Sequence, residues 1–377
     1  MTQEPNIFPY IARLLQGAEV VWKPLGEVAS LKRGRVISKE YLYDNVGEYP
    51  VYSSQTVNNG EIGRIKTFDF EQEAITWTTD GANAGTVFYR EGCFSITNVC
   101  GLVTIKNIQT LNYKYLYYWL SIEAKKHVYS GMGNPKLMSN QMEKIQIPLP
   151  PLSVQQEIVR ILDKFTQLEA ELEAELEAEL DCRKRQYEYY RNKLLAYEGN
   201  EVEWKMLGEV TEIIRGKRVV KKDLAEEGMF AVFQNSMKPL GYYNKSNAPA
   251  QTTFIICAGA AGEIGFMKDA FWAADDVYYF KNNQNLNNKY LYHFLLTQQI
   301  KISQQVRRAS IPRLSKSSFD KLLIPLPPLE EQERIATILD KFDTLVNSIS
   351  EGLPKEIALR RKQYEYYREQ LLSFPKG

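Results

Sequence analysis

Two short basic clusters stand in matched places along this 377-residue chain. Lys32-Arg33-Gly34-Arg35 lies 182 residues before Ile214-Arg215-Gly216-Lys217, which Arg218 follows. A second pair, Asn134-Pro135-Lys136-Leu137 and Ile311-Pro312-Arg313-Leu314, is offset by 177, with Arg307-Arg308 just ahead of the later copy. Between the basic clusters run amide- and hydroxyl-rich stretches, Ser53-Ser54-Gln55-Thr56-Val57-Asn58-Asn59 and Gln234-Asn235-Ser236-Met237-Lys238. Lys and Arg neutralise phosphates, and Arg, Lys, Asn and Gln make the bidentate contacts that identify bases. Recurrence of the same mixture in both halves points to DNA contact. The candidates are Lys32, Arg33, Arg35, Ser54, Gln55, Asn58, Asn59 and Lys136 in the first half. In the second they are Arg215, Lys217, Arg218, Gln234, Asn235, Lys238, Arg307, Arg308 and Arg313.

Signals of other chemistry are weak. The formal charge is only +1, so any nucleic-acid surface must be local. The two histidines, His127 and His293, have no ligand-like neighbours in sequence and read as structural. No zinc-protease, Walker A or Rossmann fingerprint occurs. Leu-Pro-Pro-Leu is not the Asn- or Asp-Pro-Pro-aromatic loop of an amino-methyltransferase. Asp80, Asp275 and Asp276 sit in Gly-rich turns, where acids are usually solvated or capping; a metal-dependent nuclease built on them is the enzymatic alternative. Catalytic residues and metal ligands are therefore expected to be none. Cys93, Cys100, Cys182 and Cys257 are scattered, as reduced thiols would be. The N-terminus lacks a signal-like apolar run, and the most apolar stretch, residues 254–261, is far short of a membrane span. A cytoplasmic protein without a membrane partner is expected.

The elements that must position these residues are written twice. Ile147-Pro148-Leu149-Pro150-Pro151-Leu152 recurs as Ile324-Pro325-Leu326-Pro327-Pro328-Leu329, and Gln186-Tyr187-Glu188-Tyr189-Tyr190-Arg191 as Gln363-Tyr364-Glu365-Tyr366-Tyr367-Arg368. Both matches have an offset of 177, so no residue is gained or lost across the unit. Upstream, Trp22-Lys23-Pro24-Leu25-Gly26-Glu27-Val28 returns as Trp204-Lys205-Met206-Leu207-Gly208-Glu209-Val210. The order reads as domain, arm, domain, arm, which implies pseudo-twofold symmetry and adjacent chain ends. Residues 1–150 and 200–327 are read as the two domains, 151–199 and 328–377 as the two arms. Each domain is α+β: strands near Ala74–Thr78, Gly101–Ile105, Thr253–Cys257 and Val277–Phe280, and helices near Lys114–Lys126 and Lys289–Gln299.

Each arm reads as helix. Pro151 precedes it, and Ser153-Val154-Gln155-Gln156 has the form of a capping box. A seam is spelled by Ile158, Ile161, Phe165, Leu168, Leu172, Leu176, Leu180, Tyr187, Tyr190 and Leu194. Its counterparts are Ile335, Ile338, Phe342, Leu345, Ile349, Leu353, Ile357, Tyr364, Tyr367 and Leu371, apolar or aromatic throughout. Spacings of three and four suit a coiled coil with a stutter. Leu168-Glu169-Ala170-Glu171, repeated twice more, should keep the first arm continuous. Gly352 and Pro354 should break the second. Four helical residues add about 6 Å and about 40° of net rotation, whereas one base pair adds about 3.4 Å and roughly 34°. The repeat could thus act as a ruler.

The paired leaders, the Gln-Tyr-Glu-Tyr-Tyr-Arg ends and the circular order resemble the specificity subunits of type I restriction–modification enzymes, over nearly the whole chain. That resemblance implies two target-recognition domains held apart on two antiparallel helices, each reading one half of a split site in double-stranded DNA. It implies two methyltransferase subunits docked on the arms and a restriction subunit recruited by the complex. S-adenosylmethionine, ATP and Mg²⁺ would belong to those partners, leaving this chain non-catalytic and without a cofactor. A coiled-coil adaptor that joins two protein-binding domains is the alternative of another class.

Overall fold

The computed structural model describes residues 8–130, 133–197, 202–308, 310–347 and 352–374. The chain divides into two compact units, residues 1–173 with 358–377, and residues 174–357. The division falls inside the first arm, so each unit takes the arm segments packed on its own domain.

In the first unit a four-stranded sheet has the order Ala29–Arg33, Cys100–Ile105, Ala74–Thr78, Val87–Arg90. The second unit repeats it as Ile213–Arg215, Val277–Phe280, Thr252–Ile256, Ile264–Met267. Ala74–Thr78 and Thr252–Ile256 are buried at every position, so neither strand alternates with a charged or solvent-facing residue, and threonine is the only polar type in them. Beside each lies a second sheet, four-stranded and containing Val46–Tyr52 in the first unit, three-stranded and containing Phe230–Phe233 in the second. The domain helices, Tyr113–Glu123 and Asn288–Thr297, start where the side chains of Asn112 and Asn287 accept from backbone N–H groups of the first turn.

The repeated leader is a strand. Val21–Pro24 pairs antiparallel with Gln146–Leu149, placing Trp22 opposite Pro148, and Glu203–Met206 with Leu323–Leu326, placing Trp204 opposite Pro325. A proline lacks the N–H of a central strand but is tolerated in a two-stranded ribbon. Its carbonyl is used instead: Pro148 accepts from the Tyr115 hydroxyl and Pro325 from the Tyr290 hydroxyl, at 3.0 Å each.

The first arm is one helix, Leu152–Leu194; the second is two, Leu329–Asn347 and Leu353–Leu371. Gly352 is required at the break, because a Cβ there would lie 2.5 Å from the Leu345 carbonyl oxygen. Ile349 lies outside the described residues. The expected capping box does not form the helix start, since Ser153 already lies inside the helix. Gln155 does the work: buried, it accepts from Asn112 N–H and donates to the Thr110 and Pro150 carbonyls. Gln332 repeats this with Asn287, Asn285 and Pro327.

The seam also differs from its expected form. Leu162 and Leu339, outside the expected set, are fully buried against the domains, while Leu168 and Leu345 are 48% and 36% exposed. The arm helices bury their deepest residues on the domain cores rather than on each other. Aromatic contacts join the helices within each unit, Phe165 with Tyr367 and Phe342 with Tyr190. The partners correspond across the repeat, Phe342 lying 177 residues after Phe165 and Tyr367 177 after Tyr190. The described chain ends share one core, where Ile11 and Leu15 cluster with Leu371, Leu372 and Phe374. An aspartate from each arm grips its domain helix. Asp163 accepts from Lys114 and Tyr118, both at 2.7 Å, and Asp340 pairs with Lys289 at 3.1 Å and His293 at 2.9 Å.

Candidate nucleic-acid interface

The glycine of each basic cluster fixes the site. Gly34 follows the strand Ala29–Arg33 so tightly that a Cβ would lie 2.0 Å from the Ile96 carbonyl oxygen. Gly216 would meet the Ala274 carbonyl oxygen at 2.2 Å. Any other residue would force the segments apart. The tuck carries Arg33 onto the Asn98 carbonyl, with Nε at 3.0 Å and Nη2 at 2.6 Å, and Arg215 Nε onto the Asp275 carbonyl at 2.9 Å. Lys32 is not brought to this place. Neighbouring strand residues point to opposite faces, and Lys32 leaves on the face away from Arg33. Arg35 is held by Asp69 at 3.0 Å and stacks over Tyr41.

The remaining first-half candidates join the same edge. Lys136 pairs antiparallel with Tyr129, the two exchanging backbone hydrogen bonds. Asp80 lies between Arg33 and Lys136, 3.9 Å from each, so this acid is a partner of the basic candidates. Ser53 Oγ meets Thr97 Oγ1 at 2.8 Å, next to Asn98. The Ser53–Gly60 loop thereby adjoins the Arg33 edge. Ser54 and Gln55 are half-buried, and Gln55 uses its amide on the Glu61 carbonyl. Asn58 and Asn59 are exposed, and both are left-handed with φ of 51° and 53°, ahead of Gly60 at 80°. For a non-glycine residue that region costs roughly 1–2 kcal/mol, although Asn bears it best.

The second half follows the same plan with other residues. Arg307 and Arg313 exchange backbone hydrogen bonds, as Tyr129 and Lys136 do. Ala258 bridges Arg313 where Asp80 bridges Lys136, so no acid occupies that place. Arg215, Arg307, Arg308, Arg313, Lys217, Arg218 and Lys238 are exposed. Gln234 and Asn235 lead the loop; the Asn235 carbonyl accepts from Ala260 N–H at 2.9 Å, and Gly259 N–H reaches Pro312, beside Arg313.

Sequence reasoning missed two contributors. Asp80 was read only as a turn acid. Arg90, buried beneath the Asn58-Asn59 turn, was not singled out; its signal is a lone arginine closing the strand Val87–Arg90. The cysteines are free thiols. Burial pushes the Cys100 and Cys257 thiols up to about 12, which makes them inert. Among the described residues no group of three or more His, Cys, Asp or Glu is placed to hold a metal ion, and no helix is long and apolar enough to cross a membrane.

Comparison with known proteins decides the family. The description "Type I restriction modification DNA specificity domain" matches residues 18–181 and again residues 200–359. The chain belongs to this family. The Escherichia coli type I restriction enzyme EcoR124I/EcoR124II specificity subunit is 31% identical, over 97% of this chain and 97% of that protein. The fold matches the type I S subunit from M. genitalium with a TM-score of 0.56 and 17% identity, covering 100% of this chain and 99% of that one. It also matches a chain from work on complex assembly and conformational transition of the type I R-M system, with a TM-score of 0.63 and 16% identity over 94% and 98% of the two chains. In this specificity subunit each matched segment holds a DNA-binding target-recognition domain together with part of an arm, and the long central helix is an arm.

Proposed function

We propose that this chain reads a bipartite double-stranded DNA target for a type I restriction–modification complex in the cytoplasm, one half-site per domain, and does no chemistry itself. The observation that carries the reading is the duplicated interface. In both units a tucked Arg-Gly segment, an antiparallel backbone pair bearing Lys or Arg, and an amide-bearing loop share one edge. Arginine and lysine there suit phosphates and guanine, and the carboxamides suit base edges. The arms set the spacer and dock two methyltransferase subunits, and the restriction subunit joins through that complex. S-adenosylmethionine, ATP and Mg²⁺ act on those partners.

The deciding experiment is methylome sequencing of cells with and without this gene. A bipartite motif methylated only when the gene is present is the expected result. It is paired with binding of that duplex by the purified complex, which should weaken steeply as salt rises. Absence of any gene-dependent motif, together with no duplex binding, would leave the adaptor reading.

A further inference from the structure

Arg90 closes an edge strand and is only 3% exposed. Among the described residues no carboxylate lies within ion-pairing distance of it. Its guanidinium instead lies on the Tyr52 ring at 3.5 Å and the Phe88 ring at 4.6 Å. Nε donates to Thr76 Oγ1 at 3.1 Å, and Nη2 donates to the Asn59 carbonyl at 2.7 Å. Burial pulls its pKa below the ordinary arginine value.

The second domain shows that the scaffold does not need this cation. Strand pairing sets Thr76 opposite Phe88 and Ala74 opposite Arg90; in the other copy Phe254 faces Gly265 and Thr252 faces Met267. Tyr52 and Phe233 likewise hold the same place, their carbonyls accepting from Thr97 and Ala274. Tyr52, Thr76 and Arg90 therefore stand where Phe233, Phe254 and Met267 make an apolar cluster. A buried ion without a counter-ion destabilises a core relative to well-packed hydrocarbon. Its use must lie in what it holds, which is the carbonyl in the middle of the left-handed turn Asn58-Asn59-Gly60.

We propose that Arg90 is a positioning residue for base reading: its hydrogen bond to the Asn59 carbonyl fixes the left-handed turn, which presents two adjacent carboxamides to base edges of the first half-site. A carboxamide matches adenine, accepting from N6 and donating to N7, so adenine is the base class this turn selects. The inference rests on the DNA-reading function proposed above.

The test uses the full chain in its complex with the methyltransferase partner. Duplexes carrying the methylome-derived motif compete with duplexes bearing one wrong base in either half. The ratio of affinities is independent of how much protein is active. Arg90→Met should lower discrimination about tenfold to a hundredfold at one or two adjacent adenine positions of the first half-site. The second half-site should keep its ratios. Asn58→Gly and Asn59→Gly keep the turn but remove the carboxamides, and should relax those same positions. If the Arg90→Met complex does not assemble, Thr76→Val, which releases only Nε, should relax the same positions to a smaller extent. Unchanged ratios in the assembled variant, relaxation spread over both halves, or relaxation at positions that the asparagine variants leave alone would overturn the proposal. A wild-type complex that discriminates no base in either half would instead refute the DNA-reading function itself.

Discussion

The two recognition domains share a strand order and differ in what lies beneath the edges that carry their basic clusters. In the first, a buried cation holds the loop and an acid sits between two of the basic side chains, Arg90 below Asn59 and Asp80 between Arg33 and Lys136. In the second, those places are taken by Met267 and Ala258, and the loop lays a half-covered methionine on the sheet. Met237 reaches down over Gly265, where a Cβ would lie 2.7 Å from its Cε. One edge is thus polar below and partly neutralised above, the other apolar below and openly cationic above. The sheet tolerates both because its strength lies in the central strands, Ala74–Thr78 and Thr252–Ile256, and these are buried in either copy. Interface chemistry can change while the framework stays.

If the domains are independent in this way, exchange should be complete and one-sided. Replacing residues 202–323 by the recognition block of another specificity subunit is expected to change one half-site entirely and leave the other untouched, as read by methylome sequencing. Alteration of both halves would break the comparison at its root. A smaller change is expected from the arm. Deleting one Leu-Glu-Ala-Glu unit between residues 168 and 179 should shorten the spacer by about one base pair, with both half-sites preserved. An unchanged spacer would remove the ruler from the account.

The contrast between Asp80 and Ala258 sharpens the comparison further. Ala258→Asp places an acid beside Arg313, as Asp80 lies beside Lys136. Affinity should fall about tenfold, and the salt slope should lose roughly one unit, the share of one phosphate contact. Asp80→Ala should act in the opposite sense through the first domain. A salt titration of duplex binding reads both. Slopes identical to wild type in the two variants would show that these cations do not face phosphate.

Much of the framework was legible beforehand, for identifiable reasons. Ala74–Thr78 has the bounds read from the sequence, because a doubly buried strand is built mostly from β-branched and aromatic residues and carries no charge at any position. The unbroken first arm and the break at Gly352 follow from helix propensity and from glycine. What escaped was the direction of individual side chains. Periodicity marked the apolar residues of the arms but could not say that Leu162 and Leu339 face the domains while Leu168 is left exposed. Gln155 and Gln332 lie 177 residues apart, yet their partners are backbone N–H and carbonyl groups, which look alike in every sequence. Lys32 adjoins Arg33 in the chain and is separated from it by the pleat. Arg90 was hidden because its partner is a backbone atom 31 residues away.

The smallest predicted effect tests whether the two arm junctions differ in the same spirit. His293 is fully buried and takes the place of Tyr118. A carboxylate only accepts, so Nε2 donates to Asp340, and Nδ1 accepts from the Tyr187 hydroxyl at 3.1 Å. Lys289, Asp343 and Tyr292 are the other titratable groups around it. Burial is the main influence and lowers the His293 pKa below 6.5, although Asp340 opposes it. The unfolded chain then binds a proton that the folded chain resists, so this contribution is intact above pH 6.5 and declines as pH falls towards the folded pKa, by at most about 1.4 kcal/mol per pH unit. Asp340 titrates below its ordinary 3.8, so the interval above pH 4 isolates the histidine. Tyr118 gains no proton there. In a His127→Gln background, which removes the other histidine, 3.1 Å from Glu123, hydrogen exchange at pH 7.5 and 5.5 should therefore show faster opening of Asn288–Thr297, corrected for intrinsic rates, with Tyr113–Glu123 unaffected. His293→Gln, which keeps a donor for Asp340 without a titrating ring, should abolish the difference. Equal acid sensitivity of the two helices would mean that the aspartate clamps, alike in both units, govern the junctions and that the histidine is silent.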